Sequence, residues 1–323
     1  MKDPDFARNS SARQDAWTRY WKSGALHSCP TSFRDNYEGE IAAFWEEAGR
    51  LLPARGRILD LATGNGSIPM LLRTQGRDDL DIDATDAADI SPAWLEPESH
   101  AKTRFHPNVW IEHLPFPDHA FDGICSQFGI EYAEQASAWR EVLRVLKAKG
   151  GLFVVMHHAE SVFTRVATVE IEHLAWLLGP DGLLQEAETL AGWLARLRAG
   201  EPVARSAQAN AARERFNRMQ EVLDLQIRTG TSVDLLTQAR SDVQAILARS
   251  GQPAADLAAY RSALEENRFR SGELVTHALT HEAVAGLADR LRAEHRGLEV
   301  EVRELRQSEG LLAWGLRALP RSG

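Results

Sequence analysis

Hydrophobic and polar positions divide the chain into four stretches with different periods. From about residue 38 to 158, short apolar runs alternate with amphipathic segments. Ile41, Phe44, Trp45 and Ala48 recur at helical spacing, and Arg57-Ile-Leu-Asp-Leu-Ala62 is a short apolar run followed at once by glycines. Leu80, Ile82 and Ala84 alternate with polar neighbours, as in a strand, and Phe121-Asp-Gly-Ile-Cys-Ser126 is a further run. Trp139, Val142, Leu143 and Leu146 form a helical stripe. Gly150-Gly151 is expected to end that helix, with Leu152-Phe-Val-Val-Met156 following as a buried strand. Strands alternating with helices predict a parallel sheet covered on both faces.

The flanking stretches read differently. Residues 159–278 carry helical patterns only, with Phe216, Met219, Leu223 and Ile227 on one face and Leu236, Val243 and Leu247 continuing after Gly230. Val284, Leu287 and Leu291 then predict a helix that ends at Arg296-Gly297. Leu298–Leu305 alternates strictly, and a short polar link joins it to Gly310–Leu316, which predicts an antiparallel hairpin. Residues 1–37 are polar but hold Trp17, Tyr20, Trp21, Phe33 and Tyr37. The chain is therefore expected to comprise an aromatic-rich cap (1–37), an α/β core (38–158 with 279–323) and a helical insertion (159–278). That insertion is too long for an ordinary connection. It suits a lid over an acceptor pocket, a homodimer interface, or both.

Composition narrows the function classes. Apolar residues make up 44% and charged residues 26% of 323 positions, as in an ordinary globular protein. A net charge of −9 disfavours nucleic acid as the main partner, because the surface repels phosphate backbones. The two cysteines, Cys29 and Cys125, provide no disulfide framework and no zinc-type spacing, so no metal site is expected. Cys29 has no visible partner base and is not expected to act as a nucleophile. Without an apolar leader or a run of about twenty apolar residues, a cytoplasmic protein that does not cross a membrane is expected.

The segment that carries chemistry is Asp60-Leu-Ala-Thr-Gly-Asn-Gly66, which lies directly after a strand and opens a helix (Ser67–Gln75). Glycines let the backbone turn sharply and approach a ligand, and the helix N–H groups that follow favour its polar end. A plain structural turn would share this pattern. Asp86, twenty residues past Gly66 at the end of the next strand, stands where an acid accepts hydrogen bonds from ribose hydroxyls; Asp89 is a nearby rival.

Together these stretches resemble class I S-adenosylmethionine-dependent methyltransferases. Ile58–Gly66 resembles the family's first motif. Glu112-His-Leu-Pro-Phe-Pro-Asp118 with Phe121-Asp122 is similar to its adenine-side loop and fourth strand, and Arg140–Leu146 with Gly150–Val155 to the next helix and fifth strand. The terminal hairpin matches its sixth and seventh strands. The resemblance implies a Rossmann-like, doubly wound, seven-stranded sheet whose last strand is antiparallel, with S-adenosyl-L-methionine as cofactor. It places Gly64 and Gly66 against the methionine part and ribose, with Ala62 and Asn65 in the same turn. Asp60 would sit beneath the turn, Asp86 on the ribose hydroxyls, Ile111 and Glu112 beside the adenine, and Gln127 and Phe128 between cofactor and acceptor. The chain departs from the family twice. Ala62 takes an earlier glycine slot, and Trp110 stands where an adenine-binding acid is common.

Methyl transfer from a sulfonium chiefly requires alignment and exclusion of water, plus a base when the acceptor is a hydroxyl or ammonium. The candidate bases are Glu131 and Tyr132 after the fourth strand and His157 and His158 after the fifth, although each histidine also suits a core position or a helix cap. The N-terminal aromatics suit a cage for the sulfonium or a plain hydrophobic anchor. The sequence reading is thus O- or N-methylation of a small-molecule acceptor. Its rivals are a nicotinamide-dependent oxidoreductase, disfavoured by the hairpin and the Leu-Pro-Phe-Pro-Asp loop, and a non-catalytic cofactor-binding scaffold.

Overall fold

The computed structural model describes residues 4–28, 35–96, 100–249 and 251–321. Cys29 and Phe33 lie outside the described residues. The chain divides into two compact units, Met1–Thr164 with Thr276–Gly323, and Arg165–Val275. The first begins with α1 (Pro4–Lys22), α2 (Gly39–Leu51), β1 (Arg57–Leu61), α3 (Ser67–Thr74), β2 (Asp81–Thr85), β3 (Thr103–His106) and β4 (Phe121–Gln127). It continues with α4 (Gln135–Val145) and β5 (Leu146–His157). The second unit takes in most of α5 (Val162–Leu178), α6 (Leu183–Arg198), α7 (Ala207–Thr229), α8 (Asp234–Arg249) and most of α9 (Pro253–His277). The chain then returns to the first unit with α10 (His281–Glu294), β6 (Leu298–Gln307) and β7 (Gly310–Pro320).

The seven strands form one sheet in the order β3-β2-β1-β4-β5-β7-β6. The first five pair in parallel, and β7 pairs antiparallel with both β5 and β6. This is the Rossmann-like sheet that the family resemblance implied, with the parallel strands expected from the alternating pattern and the hairpin closing it. Side-chain alternation explains why the central strands read as continuous apolar runs. Ile58, Phe153 and Val155 face Phe44, Trp45 and Leu72 of α2 and α3. Leu59, Leu61, Leu152, Val154 and Met156 face Trp139 and Val142 of α4 and Leu287 and Leu291 of α10.

Two local expectations are corrected. Gly150-Gly151 does not end a helix: α4 stops at Val145, and β5 runs through both glycines, with Gly151 opposite Gly123. Leu146 already pairs with Phe121, and an irregularity before Gly123 takes up the changed register. The aromatic N-terminus, read only as a cap, is a helix as far as Lys22. In the second unit Phe216, Leu223, Leu236, Val243 and Leu247 share one core with Leu174, Leu177 and Leu257. No helix among the described residues is long and apolar enough to cross a membrane.

One buried acid ties the β2 side of the sheet together. Asp83, 1% exposed, accepts from Arg57 Nε at 2.9 Å, Arg104 Nε at 3.0 Å and His106 Nε2 at 2.8 Å. Burial pushes its carboxyl up, but hydrogen bonds from Arg104, His106 and Arg57 outweigh that and hold it below the ordinary value. A depressed folded value means stabilisation that is present above the unfolded value and lost as pH falls through the folded one. Asp83→Ala is expected to cost about 2 kcal/mol in urea denaturation at pH 7. Asp83→Asn should flatten the acid limb of the stability curve below about pH 4.

Candidate functional site

The strand order reverses between β1 and β4, and a crevice opens beyond their C-terminal ends. Immediately after β1 the backbone enters the left-handed region at Ala62 (φ 52°), Gly64 (φ 55°) and Gly66 (φ 80°), and α3 begins at Ser67. After β4, Phe128 is also left-handed (φ 51°). Ala62 and Phe128 are thus non-glycine residues held in a strained region, and both line the crevice. Asp86 fastens the turn to the end of β2. One carboxylate oxygen accepts from Gly64 N and the other from Ala88 N, each at 2.8 Å.

The crevice is a pocket enclosing about 820 Å³ of empty space, open mouth included. Ala62, Thr63 and Ser67 come from the turn, and Asp86, Ala87 and Ala88 follow β2. Trp110, Ile111 and Glu112 form a further wall, and Gln127, Phe128, Gly129, Tyr132 and Ala133 follow β4. The N-terminal segment completes the pocket with Arg13, Gln14, Trp17, Trp21, His27, Ser28 and Tyr37.

Helix α1 is attached at several points. Lys22 pairs with Asp89 at 2.9 Å, Gln14 donates to Asn108 Oδ1 at 2.9 Å, and Thr18 Oγ1 accepts from Asp89 N at 3.0 Å. Asn65 Nδ2 donates to the carbonyls of Trp21 at 2.9 Å and Ala25 at 2.7 Å. Trp21 stacks on Trp17 and lies flat enough on the turn that a Cβ at Gly64 would stand 2.5 Å from its ring. Gly66 is similarly covered, by Phe105 and Trp94.

Several polar atoms at this place are buried with no hydrogen-bond partner among the described residues. They are Trp21 Nε1, Thr63 Oγ1, Gln127 Nε2 and both oxygens of Asp60. The other end of the Gln127 amide accepts from Trp45 Nε1, which fixes its orientation. Burial pushes the Asp60 carboxyl up to about 7. The nearby Thr63 hydroxyl pulls it partly back without completing a well-shaped bond, and the Asp86 charge adds to the rise. Asp86 is pushed up to about 6 by burial, against its bonds from Ala88 and Gly64.

Among the expected cofactor residues, Ala62, Asp86, Ile111, Glu112, Gln127 and Phe128 line the pocket. Gly64, Asn65 and Gly66 lie in the turn under Trp21 and Trp94, and Asp60 lies buried at the end of β1. The proposed bases separate. Tyr132 is on the wall. His157 is behind it, stacked on Phe128 at 4.1 Å, and burial lowers its imidazole to about 3, so it is neutral. Glu131 accepts from His157 N at 2.9 Å, and burial raises its carboxyl to about 7. His158 lies apart, stacked on Trp314 at 4.2 Å beside His281 and Glu304. Its Nδ1 accepts from Glu160 N at 2.9 Å, so the neutral ring carries its proton on Nε2 and offers no lone pair there to a metal. Sequence reasoning missed Thr63, His27 and Ala88 as wall residues. Only the density of aromatics in residues 17–37 signalled that the N-terminus belongs to the site.

Comparison with known proteins matches the stretch of chain that carries the turn and the parallel strands. Residues 59–155 match the family model of a methyltransferase domain. The chain is 28% identical over 150 residues to the uncharacterized methyltransferase YcgJ of Bacillus subtilis, covering 46% of this chain and 57% of that protein. It is 36% identical over 106 residues to a demethylmenaquinone methyltransferase of Thermus thermophilus, covering 31% of this chain and 46% of that protein. The chain thus spans about half the length of the curated relatives it matches. Among solved structures, a Burkholderia thailandensis 1,6-didemethyltoxoflavin N1-methyltransferase aligns with a TM-score of 0.39 at 15% identity, over 49% of this chain and 66% of that one. That likeness is too distant to bear on substrate. The domain at residues 59–155 is of the class I S-adenosylmethionine-dependent methyltransferase kind.

Because the folded value of Asp60 is raised, the free protein loses stability as pH climbs from the ordinary carboxylate range through about 7. Asp60→Asn should remove that loss. The ligand-free variant is expected to match wild type near pH 4 and to be more stable at pH 8 by about 4 kcal/mol. Thermal melts at the two pH values check this, and a variant less stable at pH 8 would count against it.

Proposed function

We propose that the chain binds S-adenosyl-L-methionine in the pocket at the ends of β1, β2 and β4 and methylates a small-molecule acceptor at oxygen or nitrogen. The observation that carries this reading is the set of buried, unpartnered polar atoms around the glycine turn, together with Asp86 at the end of β2. A buried polar group without a partner is destabilising, and such groups gathered at one pocket fit a polar ligand that completes them. S-adenosylmethionine would supply a methyl group on a positively charged sulfur, which keeps the bonding electrons as the acceptor's lone pair takes the carbon.

The chain's own residues divide the remaining work. Asp86 keeps lone pairs for ribose hydroxyls beyond those used by Gly64 and Ala88. Trp110, Ile111 and Ala88 form an apolar place for the adenine, with stacking in place of an acid. Phe128, Tyr37 and Tyr132 flank the acceptor and keep water out. Tyr132 carries a hydroxyl into that wall and orients the acceptor, while Glu131 and the neutral His157 hold Phe128 and Tyr132 from behind. The proton of a hydroxyl or ammonium acceptor leaves to solvent through the mouth. An acidic chain and a pocket walled largely by aromatics favour a small-molecule acceptor over nucleic acid.

Isothermal calorimetry is expected to show S-adenosylhomocysteine binding and no NADH binding. Asp86→Ala should weaken the former by about 10- to 100-fold, the loss of hydrogen bonds to a charged acceptor. NADH binding with no response to S-adenosylhomocysteine would reverse the assignment. Release of S-adenosylhomocysteine in an acceptor screen reads the turnover.

A further inference from the structure

The unpartnered atoms at the turn have a pattern of sign. Trp21 Nε1, Thr63 Oγ1 and Gln127 Nε2 are buried hydrogen-bond donors of residues that line the pocket, and Asp60 is a buried acceptor at the end of β1. Thr63 and Gln127 are 6% and 7% exposed, so solvent does not complete them. Three donors and one carboxylate are the complement of a zwitterionic α-amino-acid group, its carboxylate meeting the donors and its ammonium meeting Asp60. Trp21 differs from the others in origin, since it comes from α1 and not from a loop of the sheet.

We propose that helix α1 holds the amino-acid end of the cofactor, the Trp21 indole N–H donating to its carboxylate. The proposal rests on the S-adenosylmethionine reading and adds to it a residue that decides which sulfur nucleosides are held tightly. The helix is placed for this by contacts independent of any ligand. Asn65 of the turn donates to Trp21 O, Lys22 pairs with Asp89, and the missing side chain of Gly64 leaves room for the indole. Docking of α1 and recognition of the carboxylate are therefore coupled through one side chain. Ligands with the amino-acid end gain from the docked helix, and ligands that lack it do not.

The test compares two probes, S-adenosylhomocysteine and 5′-methylthioadenosine, which share adenine, ribose and sulfur. Only the first has the amino-acid end. Trp21→Phe keeps an aromatic ring over Gly64 and removes the N–H. Calorimetry should show S-adenosylhomocysteine bound about tenfold more weakly or worse, with 5′-methylthioadenosine unchanged. Thr63→Val should give the same selective loss, and unchanged 5′-methylthioadenosine binding shows that each variant is folded. Equal weakening of both probes would mean that Trp21 only packs, and would overturn the proposal. So would no change in either, or tighter S-adenosylhomocysteine binding in Trp21→Ala, which would make the ring an obstruction. Should wild type bind neither probe, the cofactor reading itself fails, an outcome distinct from loss of selectivity.

Discussion

The carboxylate of Asp86 is the interaction on which the site depends. It accepts one backbone N–H from Gly64 and another from Ala88, and so ties the turn after β1 to the segment after β2. The turn needs such a tie because three of its residues are left-handed, one of them an alanine. Together with Thr63 N, which donates to Thr85 O at 2.9 Å, it holds the turn where α3 begins and the pocket floor forms. The same carboxylate is buried enough to be raised to about 6, so ligand hydroxyls that replace lost hydration favour its charged form. The side chain that ties the turn also lines the pocket.

A second constraint comes from outside the sheet. Helix α1 contributes aromatic surface to a pocket that the strands leave open on one side. Its hold is spread over Lys22, Thr18, Gln14 and the Asn65 amide, each an individually modest contact. The aromatic stack of Trp17 on Trp21 keeps the inner face of the helix rigid.

Electrostatics at the turn run against the stability of the free protein. Asp60 has no well-shaped hydrogen bond among the described residues and is shut off from solvent, and its raised carboxyl reflects that. Asp83, equally buried, is held low by two guanidiniums and an imidazole. The two acids lie on neighbouring strands, with Asp60 opposite Ala84 and Leu59 opposite Asp83. They differ in which partners the fold brings to them. One stabilises the sheet, and the other is left without a well-shaped hydrogen bond among the described residues.

By itself the sequence determined the sheet and the place of the turn. Ile58–Leu61, Ile82–Ala84, Leu152–Met156 and the terminal hairpin are runs whose period follows directly from burial on one or both faces of a sheet. Gly64 and Gly66 mark a turn no side chain fits, and Asp86 stands at the end of the next strand. The tertiary structure alone decided the rest. Gly150-Gly151 became strand because pairing with β4 outweighed a local tendency to stop a helix. His157, His158, Glu131 and Tyr132 are alike as candidate bases in sequence, yet only Tyr132 reaches the wall, because neighbouring residues on a strand point to opposite faces and loop geometry sets the others. Trp21 meets Gly64 across 43 positions of chain, a contact that no local pattern encodes because it arises from packing between distant segments.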